Sequence, residues 1–167
     1  MIFIYNCFGG THSSSLASAV HLKKLPEDRI PTWKEILNTD QFNKLTYKDM
    51  GRIIFRGTDE EGNKVFSVGR GTSKVVVPCM KNLITILNRE YGFNEKVIFS
   101  NMTPTVSFPM TVGGFLSRGL GIDSIGVPLL LMGVQQAYSK VIKVVKHTKE
   151  SAKKMNGPVL VLMNNKL

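Results

Sequence analysis

The segment Cys7-Phe8-Gly9-Gly10-Thr11-His12-Ser13-Ser14 gathers a thiol, an imidazole and three hydroxyls around a glycine pair. Glycines let successive backbone N–H groups turn inward, and a helix beginning directly afterwards adds partial positive charge. Together these make a cradle for an anion. A cysteine at its base would have its thiolate stabilised by the same field and could attack a phosphoryl or acyl centre. In that chemistry Cys7 is the nucleophile and His12 the acid or base. Gly9 and Gly10 shape the loop, and Thr11, Ser13 and Ser14 donate to the anion. Other readings stay open: a buried cysteine can be a small hydrophobe at a strand end, and His12 can be a helix-start side chain without a role.

Such a loop works only if a strand ends and a helix begins on either side of it. Residues 2–7 are β-rich and unbroken by charge, which predicts a strand buried on both faces of a parallel sheet. Ser13 or Ser14 is placed to cap a helix over about 14–24, which Pro26 ends. In open parallel sheets ligands bind at the carboxyl ends of strands, near the point where the strand order reverses.

Further along, short helices are expected around 33–37 and 40–45. The runs 52–57 and 64–69 flank an acidic, glycine-bearing turn and predict a hairpin inserted on the sheet over 51–69. Gly69-Arg70-Gly71-Thr72-Ser73, with Lys74 beyond, is a second candidate anion nest, although a plain loop is the simpler reading. A helix then runs to Tyr91, with Leu83, Ile84, Ile86 and Leu87 as its buried side, Cys79 in the core and Gly92 as its stop. Residues 96–100 predict a buried strand and 110–119 a short, glycine-softened helix whose Gly113, Gly114 and Arg118 could shape a pocket floor. Residues 126–132 fit either a strand or a helix start. Pro128 favours the strand. The helix over 134–155 has Val134, Tyr138, Val141, Val144, Val145, Ala152 and Met155 on one side, and 159–163 is a last strand. The alternation predicts a single α/β domain over 1–167, three-layered, with a mostly parallel sheet and right-handed crossovers.

The opening resembles the phosphocysteine loops of the sugar-phosphotransferase B components, in which a strand leads into Cys-x-x-Gly-x-(Ser/Thr)-(Ser/Thr)-Ser and then a helix. Cys7, Gly10, Ser13 and Ser14 fall on that pattern, with His12 in place of a hydroxyl residue. It also resembles the Cys-x5-Arg-Ser loop of low-molecular-weight tyrosine phosphatases. There, Ser13 stands where the phosphate-gripping arginine would be, and no later Asp-Pro pair supplies a general acid. Over nearly the whole chain, the Cys-Phe-Gly-Gly-Thr-His-Ser-Ser opening and Gly113-Gly114-Phe115-Leu116-Ser117-Arg118 look like an uncharacterised bacterial family, domain of unknown function 3189. That resemblance implies a bacterial cytoplasmic protein and brings no activity with it.

Composition narrows the field. The chain of 167 residues is 43% hydrophobic and 20% charged, enough to bury a core. No apolar run reaches the roughly 20 residues that span a bilayer. Two cysteines, Cys7 and Cys79, do not make a disulfide scaffold. With no basic, apolar leader the expected compartment is the cytoplasm. His12, His21 and His147 lack metal-ligand spacing, so neither a metal nor a cofactor is expected. Between 139 and 154 six lysines face one glutamate, half of the net charge of +10. A phosphate-like anion is thus the expected ligand. The rival reading is a non-catalytic binding or regulatory module that offers this basic helix to nucleic acid or an acidic protein.

Overall fold

The computed structural model describes residues 1–166. Its elements run β1 (Ile2–Cys7), α1 (Ser13–His21), α2 (Trp33–Leu37), β2 (Ile53–Thr58), β3 (Lys64–Gly69), α3 (Val76–Tyr91), β4 (Val97–Asn101), α4 (Phe108–Gly114), a π turn over Phe115–Gly119, α5 (Asp123–Lys153) and β5 (Val159–Leu162). The five strands lie in the order β2-β3-β1-β4-β5. All neighbours are parallel except β2, which pairs antiparallel with β3 at one edge. This is the three-layer α/β architecture expected. The hairpin is present, and its second strand is stitched into the sheet as the parallel partner of β1.

Side-chain alternation along β1 divides the core. Phe3, Tyr5 and Cys7 face α1 and α5 in the larger apolar cluster, and Ile4 faces α3 with Val68, Val97 and Phe99. The chain leaves β1 towards β3 and later crosses to β4 on the other flank. The strand order therefore reverses at β1, where the carboxyl-terminal crevice opens. Across the first layer, Tyr5 Oη lies 2.8 Å from His21 Nδ1, and His21 Nε2 lies 2.9 Å from Asp59 in the hairpin turn. Burial raises the Asp59 pKa, but hydrogen bonds from His21, Asn63 and the Asn63 and Glu61 backbone outweigh it and hold it at about 2. This buried chain ties α1 to the hairpin.

Three expectations need correction. Residues 126–132 are not a strand but the first turns of α5. The buried positions Gly126, Leu130, Gly133, Val134, Ala137 and Val141 already run at helical spacing from 126. Pro128 removes only one N–H near the helix start, a loss that packing overrides. Residues 40–45 are turns, because Gln41 and Asn43 take φ of 56° and 53°. On α3, Val77, Met80 and Ile84 meet the sheet, whereas Leu83 and Ile86 are exposed and Cys79 is a free, exposed cysteine outside the core. The helix lies on its sheet face as a single narrow stripe, so its other apolar residues meet solvent. Among the described residues, no helix is long and apolar enough to cross a membrane.

The α4–α5 crossing is a backbone contact. A Cβ on Gly113 would lie 2.4 Å from Leu130 N, and one on Gly133 would lie 2.4 Å from Met110 N. Gly133→Ala tests this approach. Helix propensity alone favours alanine by about 1 kcal/mol, whereas overpacking costs about 1–3 kcal/mol. A lowered urea midpoint is expected, and a raised one would show that the crossing is loose.

Candidate functional site

The loop 8–12 leaves β1 and folds back against the end of β3. Gly10 has φ 72°, and a Cβ there would lie 2.6 Å from Gly69 N; a Cβ on Gly69 would in turn lie 2.7 Å from Gly9 C. Two glycines facing each other are thus required by the approach. Backbone bonds close the seam, with Arg70 N–H donating to Cys7 O and Gly71 N–H to Phe8 O. The second candidate nest at 69–73 is therefore filled from within. Arg70 itself reaches Asn6 and Thr103.

Inside this turn Gly10 N–H donates to Cys7 Sγ at 3.2 Å, and Ser14 Oγ lies 3.1 Å from the same sulfur. Cys7 is 4% exposed. Neither serine expected to cap α1 does so. The N-cap is His12, which makes no side-chain cap bond. The first-turn N–H groups of α1 thus lack intrahelical partners. Ser14 turns to the thiol. The Ser13 hydroxyl, in a residue 1% exposed, is one of two buried side-chain polar atoms without a hydrogen-bond partner among the described residues. Thr11 is committed elsewhere: its hydroxyl donates to Gln41 O at 2.7 Å and accepts from Lys44 N–H and Leu45 N–H, anchoring the 41–45 turn.

These residues line a cavity of about 350 Å³ at the carboxyl end of β1. Cys7, Phe8, Gly9, Thr11, His12 and Ser13 form one wall, Leu45, Thr46, Tyr47 and Met50 a second, and Val106, Met110, Thr111, Gly114, Phe115, Arg118 and Gly119 the rest. The sequence-predicted residues Cys7, Gly9, Thr11, His12, Ser13 and Arg118 thus share one chamber. Gly10 and Ser14 support it from behind.

His12 heads a polar chain. Its Nε2 lies 3.0 Å from Asn43 Oδ1, and Asn43 Nδ2 donates to Ser117 Oγ at 2.9 Å. The Ser117 hydroxyl donates to Asp123, which also pairs with Arg118 at 3.1 Å. Because Asn43 presents its oxygen, His12 carries its proton on Nε2 and leaves Nδ1 as an acceptor beside Gly114. Burial, helped by the Arg118 charge, pushes the His12 pKa down to about 4 against the raising effect of Asn43. The imidazole is therefore neutral near pH 7. Ser117 and then Arg118 hold the Asp123 carboxyl below its usual range.

Arg56 completes the site and was not expected from the sequence. It is 6% exposed, donating to Ser67 Oγ, Asp40 O, Gly10 O and Ser15 Oγ. Burial pulls its pKa down, and Asp40 and Cys7 pull it back up. It braces the outside of the loop and the start of α1. The signal was a lone arginine in an otherwise apolar strand, on the face of Ile54. The basic stripe of α5 lies apart from this chamber's lining: Lys140, Lys143, Lys146, Lys153 and Lys154 are exposed, and Tyr138 is buried with its hydroxyl on Pro26 O. Among the described residues, no group of three or more His, Cys, Asp or Glu is placed to hold a metal ion.

A family model matches residues 2–150. The chain belongs to that family, Protein of unknown function (DUF3189). The matched stretch of the DUF3189 chain includes every residue of the cavity wall and Arg56. No curated protein and no solved structure matches.

The buried imidazole sets a pH dependence. The His12 pKa is depressed in the fold, so the unfolded chain takes its proton first. Its stabilising contribution is complete above pH 6.5 and is lost as pH falls to about 4, amounting to about 3 kcal/mol. His21 shifts the same way, so the comparison is with His12→Gln. Urea unfolding between pH 7.5 and 4 should show a shallower pH slope in the variant. Equal slopes would place His12 in water.

Proposed function

We propose that this protein binds a phosphate-bearing small molecule in the Cys7–Ser14 loop. The observation that carries this reading is Ser13, a residue of the cavity wall at the uncapped N-terminus of α1 whose buried hydroxyl has no hydrogen-bond partner. Leaving a buried hydroxyl unpaired costs about 1–3 kcal/mol. A phosphate oxygen would supply the missing acceptor for Ser13 and for the first-turn N–H groups at once. The likeness of the loop to phosphocysteine loops supports the same class of ligand.

A second reading makes the site catalytic. It is favoured by Cys7, a residue of the chamber wall whose Sγ accepts from Gly10 N–H and lies 3.1 Å from Ser14 Oγ. Sγ, its proton passed to solvent, would attack phosphorus as the bond from phosphorus to the leaving alkoxide breaks. The alkoxide takes a proton from solvent, and water then cleaves the S–P bond to release phosphate. His12, neutral and with Nδ1 free to accept, would orient that water.

The test uses a Cys79→Ala background, because Cys79 is exposed and would react first. Inorganic phosphate is expected to slow iodoacetamide labelling of Cys7, and Ser13→Ala to weaken that protection about tenfold or more, the value of a hydrogen bond to a charged group. Labelling indifferent to phosphate would sink the reading. For the catalytic form, Cys7→Ser should keep phosphate binding and lose all turnover of phosphomonoesters. Retained turnover would remove Cys7 as the nucleophile.

A further inference from the structure

We infer that the ligand is a phosphomonoester with an apolar body rather than a sugar phosphate or nucleotide. This rests on the phosphate reading of the loop and concerns the remainder of the chamber. Beyond the Cys7–Ser13 wall the cavity is lined by Leu45, Met50, Val106, Met110 and Phe115, with Tyr47 among them. The threonine hydroxyls on these walls are already paired, and Tyr47, whose hydroxyl is not, is 64% exposed. Thr46 Oγ1 donates to Asp49 at 3.1 Å, and Thr111 Oγ1 donates to Ser107 O at 3.3 Å. Arg118 is held by Asp123. Thr11, on the loop itself, holds Gln41 O.

A sugar hydroxyl set against Leu45, Met50, Val106, Met110 or Phe115 would leave its hydration shell without gaining a partner, which is unfavourable. A methylene entering it would instead leave water for contact with leucine, methionine and phenylalanine side chains, which is favourable. At about 350 Å³ the chamber lies in the range of small-molecule sites. A phosphate alone would leave most of its apolar wall unused. The head group is thus fixed by directed donors at the α1 N-terminus, and the body is selected by the apolar side chains on the opposite walls.

The probes are inorganic phosphate, methyl, butyl and hexyl phosphate, and ribose 5-phosphate, each titrated into the Cys79→Ala protein by calorimetry and by protection of Cys7. Affinity is expected to rise about fourfold per added methylene until the chamber is full. Ribose 5-phosphate should bind no tighter than inorganic phosphate. Phe115→Ala, at an exposed position that tolerates truncation, should reduce the gain for hexyl phosphate and leave inorganic phosphate unchanged. A flat alkyl series with intact phosphate binding, or ribose 5-phosphate binding tighter than butyl phosphate, would overturn the apolar-body inference alone. Failure of inorganic phosphate and every ester to bind would overturn the phosphate reading and this inference together.

Discussion

The candidate site depends on the approach of two backbones, the turn after β1 and the end of β3, to within a distance that no side chain allows. A Cβ on either Gly10 or Gly69 would fall inside 3 Å of the other strand's backbone. That contact fixes the direction in which the chain leaves β1. It aims Gly10 N–H at Cys7 Sγ and starts α1 with Ser13 facing the chamber. The cost is that the turn's outer carbonyl, Gly10 O, points into the protein. Arg56 and Ser15 supply its donors. A buried guanidinium is expensive unless its hydrogens are matched. Here four acceptors from Gly10, Ser15, Asp40 and Ser67 match it.

The parts legible in the sequence were those that local chemistry decides. An unbroken apolar run, a glycine pair and a cluster of serines specify strand, turn and helix within about twenty residues, so β1, the loop and α1 stood out. The amphipathic half of α5 did so for the same reason, its apolar residues recurring every three or four positions. Local rules failed where long-range packing outweighed them. Pro128 argued for a strand, yet Gly126, Gly133 and Gly113 let α4 lie on the first turns of α5 at backbone distance. Leu83 and Ile86 looked like core, yet α3 has only the sheet beneath it and no second helix alongside.

The site was legible in its loop and illegible in its support. Arg56 shares the inward face of Ile54, but alternation alone does not say that a charged side chain there is buried rather than at an exposed edge. Its partners come from three segments distant in sequence. Asn43 matters because a positive φ in a turn places its amide between His12 and Ser117. Serine as a cap residue was a sound local expectation. The helix instead begins one residue early, at His12, and this shift puts Ser13 in the first turn with its hydroxyl unpartnered.

Charge is distributed so that the chamber relies on direction rather than on net attraction. The excess of +10 is carried largely by lysines outside the lining, above all on the solvent face of α5. Within the lining, His12 is neutral and Arg118 is balanced by Asp123. Under the proposed reading an anion would meet N–H dipoles and one unpartnered hydroxyl in a partly dehydrated space, where each hydrogen bond counts for more than it would in water. Long-range attraction from the lysines is screened beyond about 10 Å at ordinary ionic strength, so it can hasten encounter but cannot discriminate between anions. Discrimination falls to the walls. The hydroxyls of Thr11, Thr46 and Thr111 are bonded inward, so under the proposed reading one phosphate ester would be told from another by how much of its body can leave water against the apolar walls.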